Sequence, residues 1–393
     1  MLQSIHPFPA RMAPDLALKS LQALKSGTVL DPMTGSGTVA RLAKGQCLDA
    51  LGFDLDPLAV LISKVGTTAV DDGLVDLQSQ IFMSAVRSMP DSDARLDWID
   101  GDAEAERYVE FWFGGAQRSD LRKIACLLSK TNELGIDPDI ADVLRIALSR
   151  IIVTKKSAAS LAQDTSHSRP HRVATDSSYD VLLGFEKSVR AVRRRLVGMP
   201  NTGSVTIRRG DARDLSTVAD ASVDAVLTSP PYLNAIDYMR GHRMSLIWLG
   251  HRYRDLSRTR SNSIGSERRP DTVFEGDHHV VMKSAMGDLS GLHQRHHSMI
   301  ERYVMDMYKM MSEVARTLKP SCTATFVMGN SCLKSVYIEN SEALAKAGEL
   351  LGLGEPVKHE RDLPSGSRYL PTPDAGALSK RMRKEVILTF TKQ

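Results

Sequence analysis

A chain of 393 residues, 42% hydrophobic and 25% charged, has the composition of a soluble globular protein with room for more than one ordinary domain. No apolar run approaches the roughly 18 residues of a membrane span, and "MLQSIHPFPARMAPDL" at the start lacks a secretory h-region, so a cytoplasmic protein is expected. The formal charge of +4 is too small to argue for a nucleic-acid partner, and four cysteines without a CxxC pair (Cys47, Cys126, Cys322, Cys332) read as thiols of a reducing compartment, not as zinc ligands or disulfides.

In chain order, "SGTVLDPMTGSGTVARLAKGQ" reads as strand, turn and helix. Val29 and Leu30 end the strand, Asp31 to Gly37 make a glycine turn, and Thr38 to Lys44 open the helix. "CLDALGFDLDPLAVLISKV" repeats the unit, with a strand ending near Phe53 and Pro57 opening the next helix. Two βα units in succession predict a parallel sheet with helices on its faces. From residue 71 to 199 the periodicity is mainly helical, as in "DIADVLRIALSRIIV", and the polar "KKSAASLAQDTSHSRPHRV" reads as a loop. Strand patterns return in "GSVTIRRGDARDL", "VDAVLTSPPY", "CTATFVMGNS" and "KEVILTFTK". The helix "MIERYVMDMYKMMSEVARTLKP" carries methionines and tyrosines at core spacing. Residues Arg252 to His279 show little periodicity and are expected to form a mobile loop. The expected fold is therefore α/β and doubly wound, with core segments 1–70 and 200–393 split by a helical insertion at 71–199.

Three features carry chemistry. Gly35 and Gly37 lie between a strand and a helix, where glycine lets backbone approach a ligand, although GxG alone is a weak signal. Asp31, Asp54 and Asp211 each fall at the expected tip of a strand, and "TSPPY" falls at a fourth. In an open α/β sheet ligands lie at those tips. Asp54 suits the two hydroxyls of a ribose, Asp56 is the better helix N-cap, and Asp211 suits an exocyclic amino group of adenine. Adjacent prolines Pro230 and Pro231 end a strand and stiffen the elbow that bears Tyr232. Basic residues cluster twice: seven arginines against three acids from Gly241 to Thr272, and five basic residues against one acid in "FEKSVRAVRRRL". Either cluster alone reads equally well as a solvated face.

With these residues in place the chain resembles S-adenosylmethionine-dependent DNA amino-methyltransferases. "DPMTGSGT" matches the family's DPFxGSGT cofactor motif, with Met33 and Thr34 in place of commoner residues, and "TSPPY" matches its [DNS]PP[YFW] catalytic motif. "HPFPARMAP" resembles the cofactor-lid segment that precedes the glycine motif. The resemblance spans residues 1 to about 70 and 200 to 393; the helical insertion departs from it. It implies a Rossmann-like class I methyltransferase fold with S-adenosyl-L-methionine held by Phe8, Pro9, Asp31, Pro32, Gly35, Gly37, Thr38, Asp54, Asp211 and Ala212. It implies catalysis by Ser229, Pro230, Pro231 and Tyr232.

An exocyclic amino nitrogen is a poor nucleophile because its lone pair is delocalised into the ring. The Ser229 hydroxyl and the Pro230 carbonyl supply acceptors for its two hydrogens, and Tyr232 stacks on a base flipped out of the duplex. DNA is the partner so implied, with a restriction endonuclease as a further candidate. Asn234, Arg240, Arg243, Arg258, Arg260 and Arg268 are the candidate nucleic-acid contacts, within a basic region at 241–300, and the insertion is a candidate recognition segment. His242 and "SHSRPHR" are further candidates for DNA contact. The serine of the elbow favours N4 of cytosine. N6 of adenine, an RNA base, and a non-catalytic nucleic-acid-binding subunit with this fold stay open as alternatives.

Overall fold

Short apolar runs bounded by turn residues make the strands, and aspartates start most of the helices. The computed structural model describes residues 3–7, 12–155, 157–163, 170–198, 202–233, 237–266, 277–362 and 384–393. The first units are α1 (Pro14–Leu21), β1 (Thr28–Asp31), α2 (Thr38–Gly45), β2 (Asp49–Asp54) and α3 (Pro57–Thr67). Asp56 caps α3 by accepting from the Leu58 N–H, with Pro57 at the first helical position.

The segment between the two halves of the sheet contains α4 (Asp72–Ser88), α5 (Ala103–Trp112), α6 (Gly115–Ser129), α7 (Pro138–Ile152), β3 (Ala162–Gln163), β4 (His171–Arg172) and α8 (Val181–Leu196). Asp71, Asp102, Asp137 and Asp180 cap α4, α5, α7 and α8, each accepting from an N–H in the first turn. The region expected as a polar loop thus includes a two-residue hairpin, β3 with β4.

The second half runs β5 (Val205–Arg209), β6 (Val223–Thr228), α9 (Tyr238–Leu246), α10 (Tyr253–Asn262), α11 (His278–Ser284), α12 (Gln294–Thr317), β7 (Leu318–Met328), β8 (Ser331–Leu333), β9 (Val336–Ile338), α13 (Asn340–Leu350), β10 (Val357–Asp362) and β11 (Lys384–Thr391). The stretch expected as a mobile loop from Arg252 is therefore helical in α10 and again in α11. Leu256 and Thr259 bury one face of α10. Arg209 holds the Thr259 hydroxyl at 3.0 Å, Arg302 the Ser261 carbonyl at 2.8 Å, and Arg213 the Asn262 carbonyl at 2.7 Å.

Seven strands form one sheet in the order β10-β11-β7-β6-β1-β2-β5. The pairs from β7 to β5 are parallel, and β11 runs antiparallel between β7 and β10. Alternate side chains face opposite layers: Val29, Ala50 and Leu227 pack with α1 and α2, while Leu30, Val226 and Phe326 pack with α11, α12 and α13. This is the doubly wound, mostly parallel sheet expected of a Rossmann-like class I methyltransferase.

The core of the insertion is not confined to residues 71–199. It also takes in Met239, Met244 and Leu246 of α9, Ile247 and Trp248 of the 3-10 turn that follows, and Leu256 of α10. Phe113 meets Trp248 edge-on at 5.1 Å, and the Trp98 indole N–H donates to the Ile247 carbonyl at 2.7 Å. Helix α9 and the 3-10 turn after it are thus packed into the core of the insertion, while α11, α12 and α13 pack against the sheet.

Candidate active site

Because β6, β1, β2 and β5 are adjacent and parallel, their C-terminal ends share one edge of the sheet. The elbow from Ser229 to Tyr232, the turn from Asp31 to Gly37, Asp54 and Asp211 follow those four ends in that spatial order.

The turn is bound to its neighbours through backbone. Gly35 donates to Asp54 Oδ2 at 2.9 Å, its carbonyl accepts from the Ser63 hydroxyl at 2.9 Å, and Thr34 donates to the Phe53 carbonyl at 2.8 Å. Gly37 takes φ +75° before α2, and a Cβ there would lie 2.9 Å from the Ser63 Cα. Both strain and space require glycine. Pro32 follows Asp31 in the turn, and Thr38, the first residue of α2, is buried with its hydroxyl 3.3 Å from that of Ser36.

Of the two acids at the turn, Asp31 is buried and Asp54 is half-buried. Burial raises the Asp31 carboxyl to about 7, against hydrogen bonds from the Thr228 hydroxyl and the Met33 N–H. Burial and then the charge of Asp56 raise Asp54 to about 7, against donation from the Asp56 and Gly35 N–H groups. Among the described residues no lysine or arginine forms an ion pair with either acid. Thr34 Oγ1 is buried there with no protein partner among the described residues. A glycine turn, two acids without a lysine or arginine partner among the described residues and an unpaired hydroxyl suit a cationic ligand that carries hydroxyls.

Asp211 differs. Its carboxylate accepts from Arg213 at 2.6 and 2.9 Å, and Arg213 reaches on to Asp306 at 2.6 Å. Burial opposes ionisation of Asp211, but those bonds hold it below the usual carboxylate range. Ala212 is buried beside it.

Pro230 is buried, and Ser229, Pro231 and Tyr232 are half-buried. The Tyr303 hydroxyl of α12 donates to the Pro231 carbonyl at 3.2 Å, and the Ser331 hydroxyl donates to the Leu233 carbonyl at 2.6 Å, so the elbow is propped on both sides. Burial pushes the Tyr232 hydroxyl well above the usual tyrosine range, against the opposing effect of the neighbouring Ser229. Among the described residues no hydrogen bond props the Pro230 carbonyl.

Of the candidate DNA contacts, Arg240 and Arg258 are exposed, and Arg260 binds Asp237 at 2.6 Å. Arg243 lies over the rings of Tyr108 and Tyr253, at 5.7 and 5.6 Å from their centroids. His242 is buried and pairs with Asp56, instead of facing solvent. Phe8, Pro9, Asn234 and Arg268 lie outside the described residues. Sequence reasoning missed Ser63, Arg213 and Tyr303, whose roles come from elements remote in the chain.

No family model matches the chain. It is 21% identical to the Type II methyltransferase M.MvaI of Kocuria varians, over 98% of this chain and 89% of that protein. It is also 21% identical to the Type II methyltransferase M.BsoBI of Geobacillus stearothermophilus, over 85% of this chain and 74% of that one. The chain is thus similar to Type II methyltransferases over most of its length. Among solved structures, an SAM-dependent methyltransferase of Methanosarcina mazei covers 98% of the chain at 8% identity, with a TM-score of 0.34. The fold assignment rests on the strand order and not on that overlay. No helix among the described residues is long and apolar enough to cross a membrane.

Proposed function

We propose that this protein transfers a methyl group from S-adenosylmethionine to the exocyclic amino group of a base in DNA, with N4 of cytosine as the target. The observation that carries the reading is the adjacency of two motifs in space. The glycine turn with the acids at the ends of β1 and β2 lies beside the Ser-Pro-Pro-Tyr elbow after β6. When bound, S-adenosylmethionine supplies an activated methyl group on a sulfonium. Asp54 would take the ribose hydroxyls, the turn from Asp31 to Thr38 would hold the methionine end, and Asp211 with Ala212 would border the adenine. Phe8 and Pro9 of the lid segment would complete that side.

The elbow does the rest. The Ser229 hydroxyl and the Pro230 carbonyl accept the two amino hydrogens, which favours a pyramidal nitrogen and accommodates the positive charge that develops on it. The props on Pro231 and Leu233 keep those acceptors fixed, so little reorganisation is needed as charge develops. Tyr232 stacks on the flipped base and recovers about 1–3 kcal/mol of the cost of flipping. Pro231 and Pro230 supply stiffness. The exposed Arg240 and Arg258, together with Asn234, Arg243, Arg260 and Arg268, engage the backbone or the bases. The cytoplasm, where DNA is reached without export, is the site of action, and a restriction endonuclease is the partner to look for.

Serine in place of aspartate at the head of the elbow favours N4 of cytosine over N6 of adenine. Methylation-aware sequencing of DNA from cells that express the protein tests the reading. N4-methylcytosine in one sequence context supports it, N6-methyladenine would shift the target base, and unmodified DNA would refute it.

A further inference from the structure

One buried acid–base pair takes no part in the transfer above. His242 of α9 meets Asp56 through Nδ1 and Oδ2, and the two residues are 5% and 8% exposed. Asp56 caps α3 with its other oxygen, and its own N–H donates to Asp54 Oδ1 at 2.9 Å. The second oxygen of Asp54 accepts from Gly35 in the glycine turn. A continuous bonded path therefore runs from α9, just beyond the elbow, through Asp56 to the carboxylate that faces the cofactor side.

Capping does not call for the histidine. Asp71, Asp102, Asp137 and Asp180 cap four other helices, and no ion pair to histidine is formed by any of them among the described residues. Nor is a buried pair the cheapest way to hold α9 against α3, since removing two polar groups from water costs more than packing apolar ones. We propose that His242 is a positioning residue: through Asp56 it fixes the Asp54 carboxylate for the cofactor ribose, so that the element behind the base-binding elbow governs the grip on the cofactor. The inference rests on the methyltransferase reading and deepens it.

The surrounding charges fit this role. Asp54 is faced by Asp31 from β1, by Asp56 at the cap of α3 and by His242 from α9. Asp56 is faced in addition by His251, beyond which stands Arg209 of β5. His6 shares with His242 the small cleft between the N-terminal segment, α3, α7 and α9, where it is 2.9 Å from the Ser149 hydroxyl. Burial works against a charged Asp56, and the charge and hydrogen bond of His242 overcome it. The same imidazole lowers Asp54, so its removal drives Asp54 toward the protonated form.

The test is cofactor titration by calorimetry from pH 6 to 8.5 on the full chain, His242→Gln and His242→Ala, with thermal melts to establish folding and DNA binding measured without cofactor. Glutamine can donate to Asp56 but carries no charge. The expected result is cofactor binding about three- to tenfold weaker at pH 7 in His242→Gln, with its acid-side loss moved to higher pH and DNA affinity unchanged. His242→Ala is expected to weaken binding further. A parent chain that binds with both variants matching it at every pH would overturn the inference alone. A parent chain that binds no S-adenosylmethionine would overturn the function and this inference together. If His242→Ala fails to fold, the pH profile of His242→Gln decides.

Discussion

The Thr228 hydroxyl donates to Asp31 Oδ1 across 2.7 Å in the interior of the sheet, joining the strand that ends in the elbow to the strand that ends in the glycine turn. This buried side-chain bond adds to the backbone pairing of β1 with β6 in registering the two halves of the site. Thr228→Val keeps the shape and removes the donor. It is expected to cost about 1–3 kcal/mol in denaturant unfolding, while Thr228→Ser stays near the parent. Asp31, having lost a donor that favours its charged form, should also titrate higher in the valine variant. Equal unfolding midpoints for parent and valine variant would show the bond to be idle.

Asp31 and Asp54 are both raised to about 7, well above the roughly 3.9 of a free aspartate, by desolvation and, for Asp54, by the charge of Asp56. For such groups the folded state binds protons more tightly than the unfolded one. Their contribution to stability is full below the unfolded value and is lost as pH rises through about 7. Hydroxyl donors and a positive sulfonium favour the charged carboxylates, so cofactor binding should release protons and weaken as pH falls through about 7. Calorimetry in buffers of different ionisation enthalpy reads the proton count directly. A buffer-independent enthalpy at pH 7 would contradict the assignment.

Asp54→Ala should cut cofactor affinity by about 1.5–3 kcal/mol, the worth of hydrogen bonds to a charged group. It also frees the Gly35 and Asp56 N–H groups, so Asp54→Asn serves as the gentler partner, retaining an acceptor without the charge. Unchanged affinity in folded variants would remove Asp54 from the site.

Arg258 is exposed on α10, whereas Arg260 is engaged by Asp237. Arg258→Ala should weaken DNA binding and reduce its salt slope by roughly 0.9 for a lost phosphate contact. Arg260→Ala should in addition loosen the Asp237 link and lower stability by about 1 kcal/mol or less, as partly exposed ion pairs do. A slope that is the same in Arg258→Ala and the parent would place that face in solvent.

The strand tips were legible because Val29–Leu30 and Val226–Leu227 form apolar runs cut short by a glycine turn and a double proline. The cap role of Asp56 was legible from the Pro57 beside it. The helix α10 was not, because a sequence as polar as "YRDLSRTRSN" shows only Leu256 as a core signal, and its anchors are arginines of β5 and α12 and of the turn after β5. The edge strand "VKHERD" has no buried alternation to reveal it, since its hydrogen bonds to β11 define it. The His242–Asp56 pair joins residues 186 positions apart, a separation that no local pattern encodes.

Single-turnover methyl transfer to duplex DNA, measured beside cofactor titration, tests the elbow chemistry most directly. Tyr232→Phe keeps the ring and should retain most of the rate. Tyr232→Ala should lose about 1–3 kcal/mol of stacking, roughly five- to a hundredfold in rate, and Ser229→Ala should slow transfer by removing an acceptor. Both alanine variants are expected to bind S-adenosylmethionine as the parent does. Transfer by Tyr232→Ala at the parental rate would contradict the account and leave the elbow as a turn alone.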